Sequence, residues 1–333
     1  MDIKPLVSII APVYGVEKYI SQCARSLFAQ TYTNIEIIFV DDCSKDNSIA
    51  ILNKTIDEHP YIKDKVKVVR LEQNQGLAGA RLAGLKIATG DYVIQFDSDD
   101  YVEPNIVETL VSTAIKFDSD IVICDYDLVY PSSTVPVNVN PSLNKEELIG
   151  QLFTGKVHGS LCNKLIKREL YTKNNIMPTV GLNMCEDLSV MYKLVYYSNK
   201  ISYVPAILYH YRQLVSGSFS SSKMSLAQQR NRIQLLEQIC TFIKEEAKND
   251  EKLEQYKRYI IASNKAQVLL YGNLKEMDAF DKPEMRFSLD DINKHPNLNR
   301  IFRIMLKLDK YKLYPLVHLM RLAQKTHSRI RRK

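Results

Sequence analysis

Five short, almost continuously apolar runs, at residues 6–11, 35–40, 66–71, 92–96 and 121–124, recur about 25 to 30 residues apart with helix-like periodicity between them. That is the rhythm of strand–helix–strand units. Runs such as VSIIAPV and IEIIFV leave no polar side for water, as expected of parallel strands covered on both faces by crossover helices. Residues 1 to about 130 are therefore expected to form an open parallel α/β sheet. In such a sheet ligands lie beyond the carboxyl ends of the strands. Those positions hold Pro12, Tyr14 and Gly15 after the first run, Asp41 and Asp42 after the second, Asn74 and Gly76 after the third, and Asp97, Asp99 and Asp100 after the fourth.

The chain has 333 residues, 45% apolar and 25% charged, enough for roughly two ordinary globular domains and unlike collagen-like, low-complexity or disordered chains. Six widely spaced Cys with no C-x-x-C pair read as reduced, packed thiols, which argues against a zinc ribbon or a disulfide scaffold. The N-terminal residues MDIKPLVSII have no basic leader or cleavage site, and charges break every long apolar stretch, so a cytoplasmic protein without a spanning helix is expected.

A Pro-, Ser- and Asn-rich stretch past Pro131 marks a loop or domain edge. Beyond it, residues 148–153 and 186–197 read as helices, residues 201–211 as extended, residues 226–247 as a long helix, and everything from about residue 224 as mainly helical. Charge is divided unevenly: residues 297–333 hold 11 Lys/Arg and one Asp, 11 − 1 = +10, leaving 34 − 37 = −3 for the rest. Such a tail points to an acidic partner surface.

Four constellations could carry chemistry. Asp97-Ser98-Asp99-Asp100 follows a buried strand, where carboxylates two apart can converge on Mg²⁺ or Mn²⁺ together with phosphate oxygens. The structural alternative is an acidic turn capping the helix that begins near Pro104. In Asp41-Asp42-Cys43-Ser44-Lys45-Asp46, Asp42 is placed to accept from a base or ribose, with Asp46 as the helix cap. Glu186-Asp187 suits a helix start by the dipole alone, yet a carboxylate there is also a candidate general base. Tyr209-His210-Tyr211-Arg212, followed by Ser216-Gly217-Ser218, offers cations for a diphosphate and a flexible lid, against an exposed basic turn. In residues 74–90 the small residues Gly76, Ala78, Gly79, Ala80, Ala83 and Gly84 would let a helix approach the sheet closely. Arg81 could face a phosphate or a base, or form a surface ion pair. No G-x-G-x-x-G, P-loop, H-E-x-x-H or Ser/His/Asp pattern is present.

Taken together, VSIIAPVYGVEKYI, EIIFVDDCSKDNS, NQGLAGARLAG, TGDYVIQFDSDDYVEP and CEDLSVMYKL resemble, in order and spacing, the family 2 glycosyltransferases with the GT-A fold. The resemblance spans roughly residues 5–220. It implies an open, mainly parallel twisted sheet flanked by helices, and inverting transfer of a sugar from a nucleotide-sugar, usually a UDP-sugar, to an acceptor hydroxyl. By motif match Tyr14 resembles the ring beside the base, Asp42 the base's partner, Asp97 a ribose or metal contact, Asp99 the metal ligand and Asp187 the catalytic base; Pro12 and Ser98 stand in the same motifs. Arg81 is similar to a nucleotide-side arginine and Arg212 to a diphosphate contact. Cys43 stands where the family often has Gly, and Leu82 where Asn often follows the arginine. The expected organisation is a GT-A domain over 1–220, its nucleotide half 1–130 and acceptor half 131–220, then a helical region 221–333 with the basic tail 297–333.

In the tail, Leu298, Ile301, Phe302, Met305 and Leu308, then Leu316, Leu319, Met320 and Leu322, recur at helical spacing among the cations, with Pro315 as a break. A basic amphipathic helix pair suits an anionic inner leaflet, where a glycan or lipid-linked glycan acceptor would be met. The competing expectation is that the apolar stripe packs on the catalytic domain and the charges are merely solvated. Nucleic acid is disfavoured because no recognition motif is present and the remainder of the chain is slightly acidic. A non-catalytic nucleotide-sugar-binding or scaffold protein is the alternative from another class.

Overall fold

The computed structural model describes residues 4–213, 224–248 and 250–330. It divides into two compact units, one of residues 1–148 and 158–218, the other of residues 149–157 and 219–333.

The first unit follows the expected alternation: β1 (Val7–Val13), α1 (Ile20–Phe28), β2 (Ile35–Asp41), α2 (Ser48–Asp57), β3 (Val66–Arg70), α3 (Gly76–Ile87), β4 (Tyr92–Gln95), β5 (Tyr101–Val102), α4 (Ile106–Phe117) and β6 (Ile121–Tyr130). Then come β7 (Ser133–Val137), α5 (Lys145–Phe153, which crosses the unit boundary), β8 (Lys164–Lys167), α6 (Arg168–Lys173), α7 (Glu186–Tyr197) and β9 (Ile201–Arg212). The strands form one nine-stranded sheet in the order β3-β2-β1-β4-β8-β6-β9-β5, with β7 added alongside β6. Pairing is parallel across β3, β2, β1 and β4. The sheet is not parallel throughout. β8, which lies beyond residue 130 in sequence, enters antiparallel between β4 and β6. β6 runs on past the expected residues 121–124 because β9 pairs with it in parallel as far as Arg212, through an irregularity at Asp125.

Every residue of β1, β2 and β4 is buried, as their unbroken apolar runs require. β3 is the exception, since it stands at the edge and alternates half-buried with exposed positions. Gly84 explains how close α3 sits: a Cβ there would overlap Ile10 Cγ2 of β1.

The second unit is helical: α8 (Leu226–Glu245), α9 (Glu251–Tyr271), α10 (Leu289–Lys294), α11 (Arg300–Lys310) and α12 (Tyr314–Ile330). Its long helices begin where a side chain can accept the first free N–H groups: Ser225 caps α8 with a reciprocal Gln228 bond, Asp250 caps α9 and Asn299 caps α11. α11 and α12 are separated at Tyr311, Lys312 and Leu313, with Pro315 in the first turn of the second helix, where a missing N–H costs nothing. No helix of the described residues is long and apolar enough to cross a membrane.

Candidate functional site

The carboxyl ends of β1, β2 and β4 meet at one edge of the sheet, and the residues just beyond them gather there. Register aligns Val13 with Asp41, so Tyr14 and Asp42 leave adjacent strands at the same level. Tyr14 is half exposed and next to Gly15, whose φ of 67° lies in the left-handed region where Gly carries no steric penalty. Asp42 is buried and accepts from the backbone N–H groups of Gln75 (2.6 Å) and Gly76 (2.8 Å), the start of α3. Burial raises its carboxyl above the ordinary value and these two amides offset part of that. Asp42 thus joins β2 to α3. The turn that follows passes through Cys43 at φ 61°, a strained position for any residue but Gly, and the Cys43 thiol donates to the Leu71 carbonyl at 3.0 Å. The N-cap position of α2 is Asn47, without a side-chain capping bond, and not Asp46 as expected; Asp46, one residue earlier, accepts from Ser48 N at 3.1 Å.

The aspartate loop after β4 is held from several sides. Ser98 Oγ donates to the Pro12 carbonyl at 2.5 Å, so these two expected site residues fasten the loop to β1. Asp100 is buried; its carboxylate accepts from Tyr209 Oη and from Arg212 N (2.7 Å). Burial raises the Asp100 carboxyl well above its ordinary value, and Asp99 and Asp97 push the same way. The N-cap position of α4, Asn105, makes no side-chain capping bond, so the acidic turn does not serve as that helix's cap.

Arg212, at the end of β9, donates to the Asp99 carbonyl (2.7 Å) and to Gln22 (2.6 Å), its guanidinium 5.1 Å from the ring centres of both Tyr19 and Tyr101. This places a fixed cation beside Asp99. The carboxyl of Asp99 is nonetheless pushed up to about 6, first by burial and then by Asp97. The loop residues 216–218 expected to act as a lid lie outside the described residues.

Arg81 is placed differently from either expectation. It is fully buried, neither on the surface nor open to a nucleotide. Its guanidinium pairs with Asp97 at 2.8 Å, with Glu186 at 3.4 Å and with Asp187. The acid pair at the start of α7 is thereby linked to the aspartate loop. Three carboxylates around one guanidinium leave excess negative charge, and burial raises the Glu186 carboxyl, with Arg81 pulling it back. Of the pair, Asp187 keeps 18% of its side chain exposed and Glu186 9%. The turn into α7 is forced by Cys185 at φ 64°.

Three neighbours were not singled out from sequence: Cys162, whose thiol donates to Asp97 Oδ2 at 3.2 Å, and Tyr19 and Tyr101 around Arg212; Tyr209 was named there only within its cluster, not as the partner of Asp100. Cys162 comes from the loop before β8, 65 residues from Asp97, and no spacing rule relates the two. Tyr209 carried a weak signal as part of the flagged Tyr-His-Tyr-Arg cluster.

Asp97 and Asp99 supply the hard oxygen donors that Mg²⁺ or Mn²⁺ prefers, and a carboxyl raised by burial beside another is one that a cation would relieve. Among the described residues no three His, Cys, Asp or Glu side chains form a ready-made cage. A divalent ion shared with substrate phosphates needs only one or two carboxylates. Both Asp97 oxygens already have partners, so Asp99 is the better placed ligand.

An open α/β sheet with an aspartate loop, an acid pair and two separately held arginines gathered beyond its strand ends is the frame of the site. The model of glycosyl transferase family 2 matches residues 8–174, and the chain belongs to that family. It is 33% identical to the putative glycosyltransferase EpsH of Bacillus subtilis over 76% of this chain and 72% of that one. It is 30% identical to the glycosyltransferase GlyG of Streptococcus pneumoniae over 69% and 78%. Among solved structures, residues 1–349 of S. aureus TarS in complex with UDP-GlcNAc align with a TM-score of 0.70 at 21% identity, covering 97% of this chain and 92% of that one. The mannosyltransferase PcManGT of Pyrobaculum calidifontis, in complex with GDP-Man and Mn²⁺, aligns with a TM-score of 0.56 at 16% identity over 97% and 89%. At these identities the structures speak for the GT-A fold, and the family makes the chain a glycosyltransferase.

Proposed function

We propose that the chain moves a hexosyl or N-acetylhexosaminyl group from a nucleotide diphosphate-sugar, in the first instance a UDP-sugar, to an acceptor hydroxyl with inversion at the anomeric carbon. The observation that carries this reading is Arg81, whose buried guanidinium ties the exposed edge of the acid pair to the aspartate loop. A candidate base carboxylate and a loop whose carboxylates could hold a phosphate-bound cation are then neighbours, as a single displacement needs. The TarS complex with UDP-GlcNAc and the PcManGT complex with GDP-Man and Mn²⁺ support the class of donor.

In this reading Tyr14 and Asp42 flank the base, Asp97 faces the ribose, Arg212 faces the diphosphate, and Asp187 takes the acceptor proton as the oxygen attacks from the face opposite the leaving diphosphate. Asp99, with Asp97, would hold Mn²⁺ or Mg²⁺, which supplies positive charge where the leaving diphosphate develops its negative charge. Arg81 serves from behind by keeping Asp187 and Asp97 in place. The domain division expected from sequence, the role in cell-surface polysaccharide synthesis, the glycan or lipid-linked glycan acceptor and the peripheral membrane location belong to the same proposal.

Calorimetric titration with UDP and with GDP, each with Mn²⁺ and again with EDTA, tests it. Metal-dependent UDP binding followed by sugar transfer is expected. A folded protein that binds neither nucleotide would favour a non-catalytic scaffold.

A further inference from the structure

Charge and burial sort the basic tail into two sets of residues. Leu298, Met305, Leu306 and Val317 are buried, and α11 and α12 both pack on α9. Of the expected stripe Leu298 and Met305 are thus covered, and the helices that carry it pack on α9, which belongs to the helical unit and not to the catalytic domain of the competing expectation. Several cations are also turned inward. Arg303 donates to the carbonyls of Leu298 (2.9 Å) and Asn293 (2.9 Å), Lys310 to Phe287 (2.6 Å), and Arg321 to Leu269 (2.9 Å) and Gly272 (2.6 Å).

What remains is a second apolar set at the corner between α11 and α12. Tyr311, Leu313, Tyr314, Leu316, Leu319 and Leu322 are 43% to 63% exposed, although a chain that only needed to fold would cover or replace them. Arg300 and Lys307 on α11 and Lys312 in the turn after it are exposed. The one acid of the tail, Asp309, is tied to Lys265 at 2.9 Å with both side chains nearly buried, so it does not oppose an anionic surface.

We propose that this corner is a docking surface for an anionic lipid bilayer, with Tyr311, Leu313, Tyr314, Leu316 and Leu319 entering the headgroup region and Lys307 and Lys312 meeting lipid phosphates. The inference rests on the membrane partner named above and assigns it to particular side chains. Tyrosines suit that depth, apolar in the ring and polar at the hydroxyl, and cations beside aliphatic residues suit a negatively charged interface. A second copy of the chain is the poorer occupant, because a symmetric contact would set these same cations against each other. The buried stripe is excluded from the contact, so the surface is the corner and the exposed side of α12, not the whole helix pair.

Flotation of the full-length chain with phosphatidylcholine vesicles, and with vesicles containing phosphatidylglycerol, tests the assignment. The protein is expected to float only with the anionic vesicles, and less at high salt. Leu316→Ser/Leu319→Ser is expected to weaken flotation by roughly tenfold or more. Lys307→Gln/Lys312→Gln is expected to weaken it and to flatten its salt dependence. No flotation of the parent chain, or flotation of both variants equal to the parent's, would overturn the proposal. So would a dimer by light scattering that the serine variant abolishes in a chain that ignores vesicles. UDP titration of the same samples keeps the two readings apart: lipid binding without UDP binding would sink the transferase reading and leave the surface.

Discussion

At the residue scale the site turns on how few charges are left exposed. Asp187 and Asp99 are assigned different work, and Asn substitutions separate them. Asp187→Asn is expected to reduce transfer by about 10²- to 10⁴-fold, the range of a lost general base, with donor binding unchanged by calorimetry. Asp99→Asn is expected to weaken both donor binding and transfer. Equal loss of donor binding in the two variants would contradict these roles. Arg81 is a positioning residue held by Asp97, Glu186 and Asp187. Arg81→Met would strand buried carboxylates, and a loss of about 3–5 kcal/mol in denaturant unfolding is expected, as for other broken buried ion pairs. Unchanged stability would mean that Arg81 does not organise the acids. Asp97, Asp99, Asp187 and Arg212 were all legible as candidates in the sequence. The enclosure of Arg81 was not, because it needs three carboxylates from two distant segments to converge.

At the element scale, position follows from the small residues and the turns. Gly84 lets α3 lie against β1, and Gly84→Ala is expected to destabilise by about 1–3 kcal/mol, since Ile10 and Val40 stand in the way of the new methyl group. A variant of unchanged denaturation midpoint would show that the helix can shift outward freely. The same close approach puts the start of α3 within reach of Asp42, so a packing glycine and a buried carboxylate act together. Helix and strand existence came from periodicity and held within a few residues for α7, α8 and β9. The parallel order did not hold throughout, because β8 pairs by long-range contact, and nothing in its four residues Lys164–Lys167 announces direction.

At the scale of the molecule, the helical unit carries a pH dependence of its own. His295 is buried, and its ring accepts from Asn297 N at Nδ1 (3.2 Å) while Nε2 faces Ser263 Oγ (2.7 Å) and the Tyr259 carbonyl (3.2 Å), the pattern of a neutral imidazole. Burial lowers it from 6.5 to about 4, although the Tyr259 carbonyl favours the proton. Above pH 6.5 neither folded nor unfolded chain is protonated there, and the stability is full. Between about 6.5 and 4 only the unfolded chain takes the proton, so stability falls as pH falls, by about 2 kcal/mol at pH 5. Urea unfolding at pH 7 and 5 should show that loss in the parent chain and a smaller one in His295→Gln; equal losses would exclude His295. By itself the sequence determined the alternating sheet, the carboxylates at its strand ends and the family, because burial on both faces and ordered motifs are local facts of the chain. Only the tertiary structure decided that Arg81 is enclosed by Asp97, Glu186 and Asp187, and that Met305 packs while Leu319 stays in water. Which of several equivalent charges or apolar side chains is covered depends on what folds over it, and that partner lies far away in the sequence.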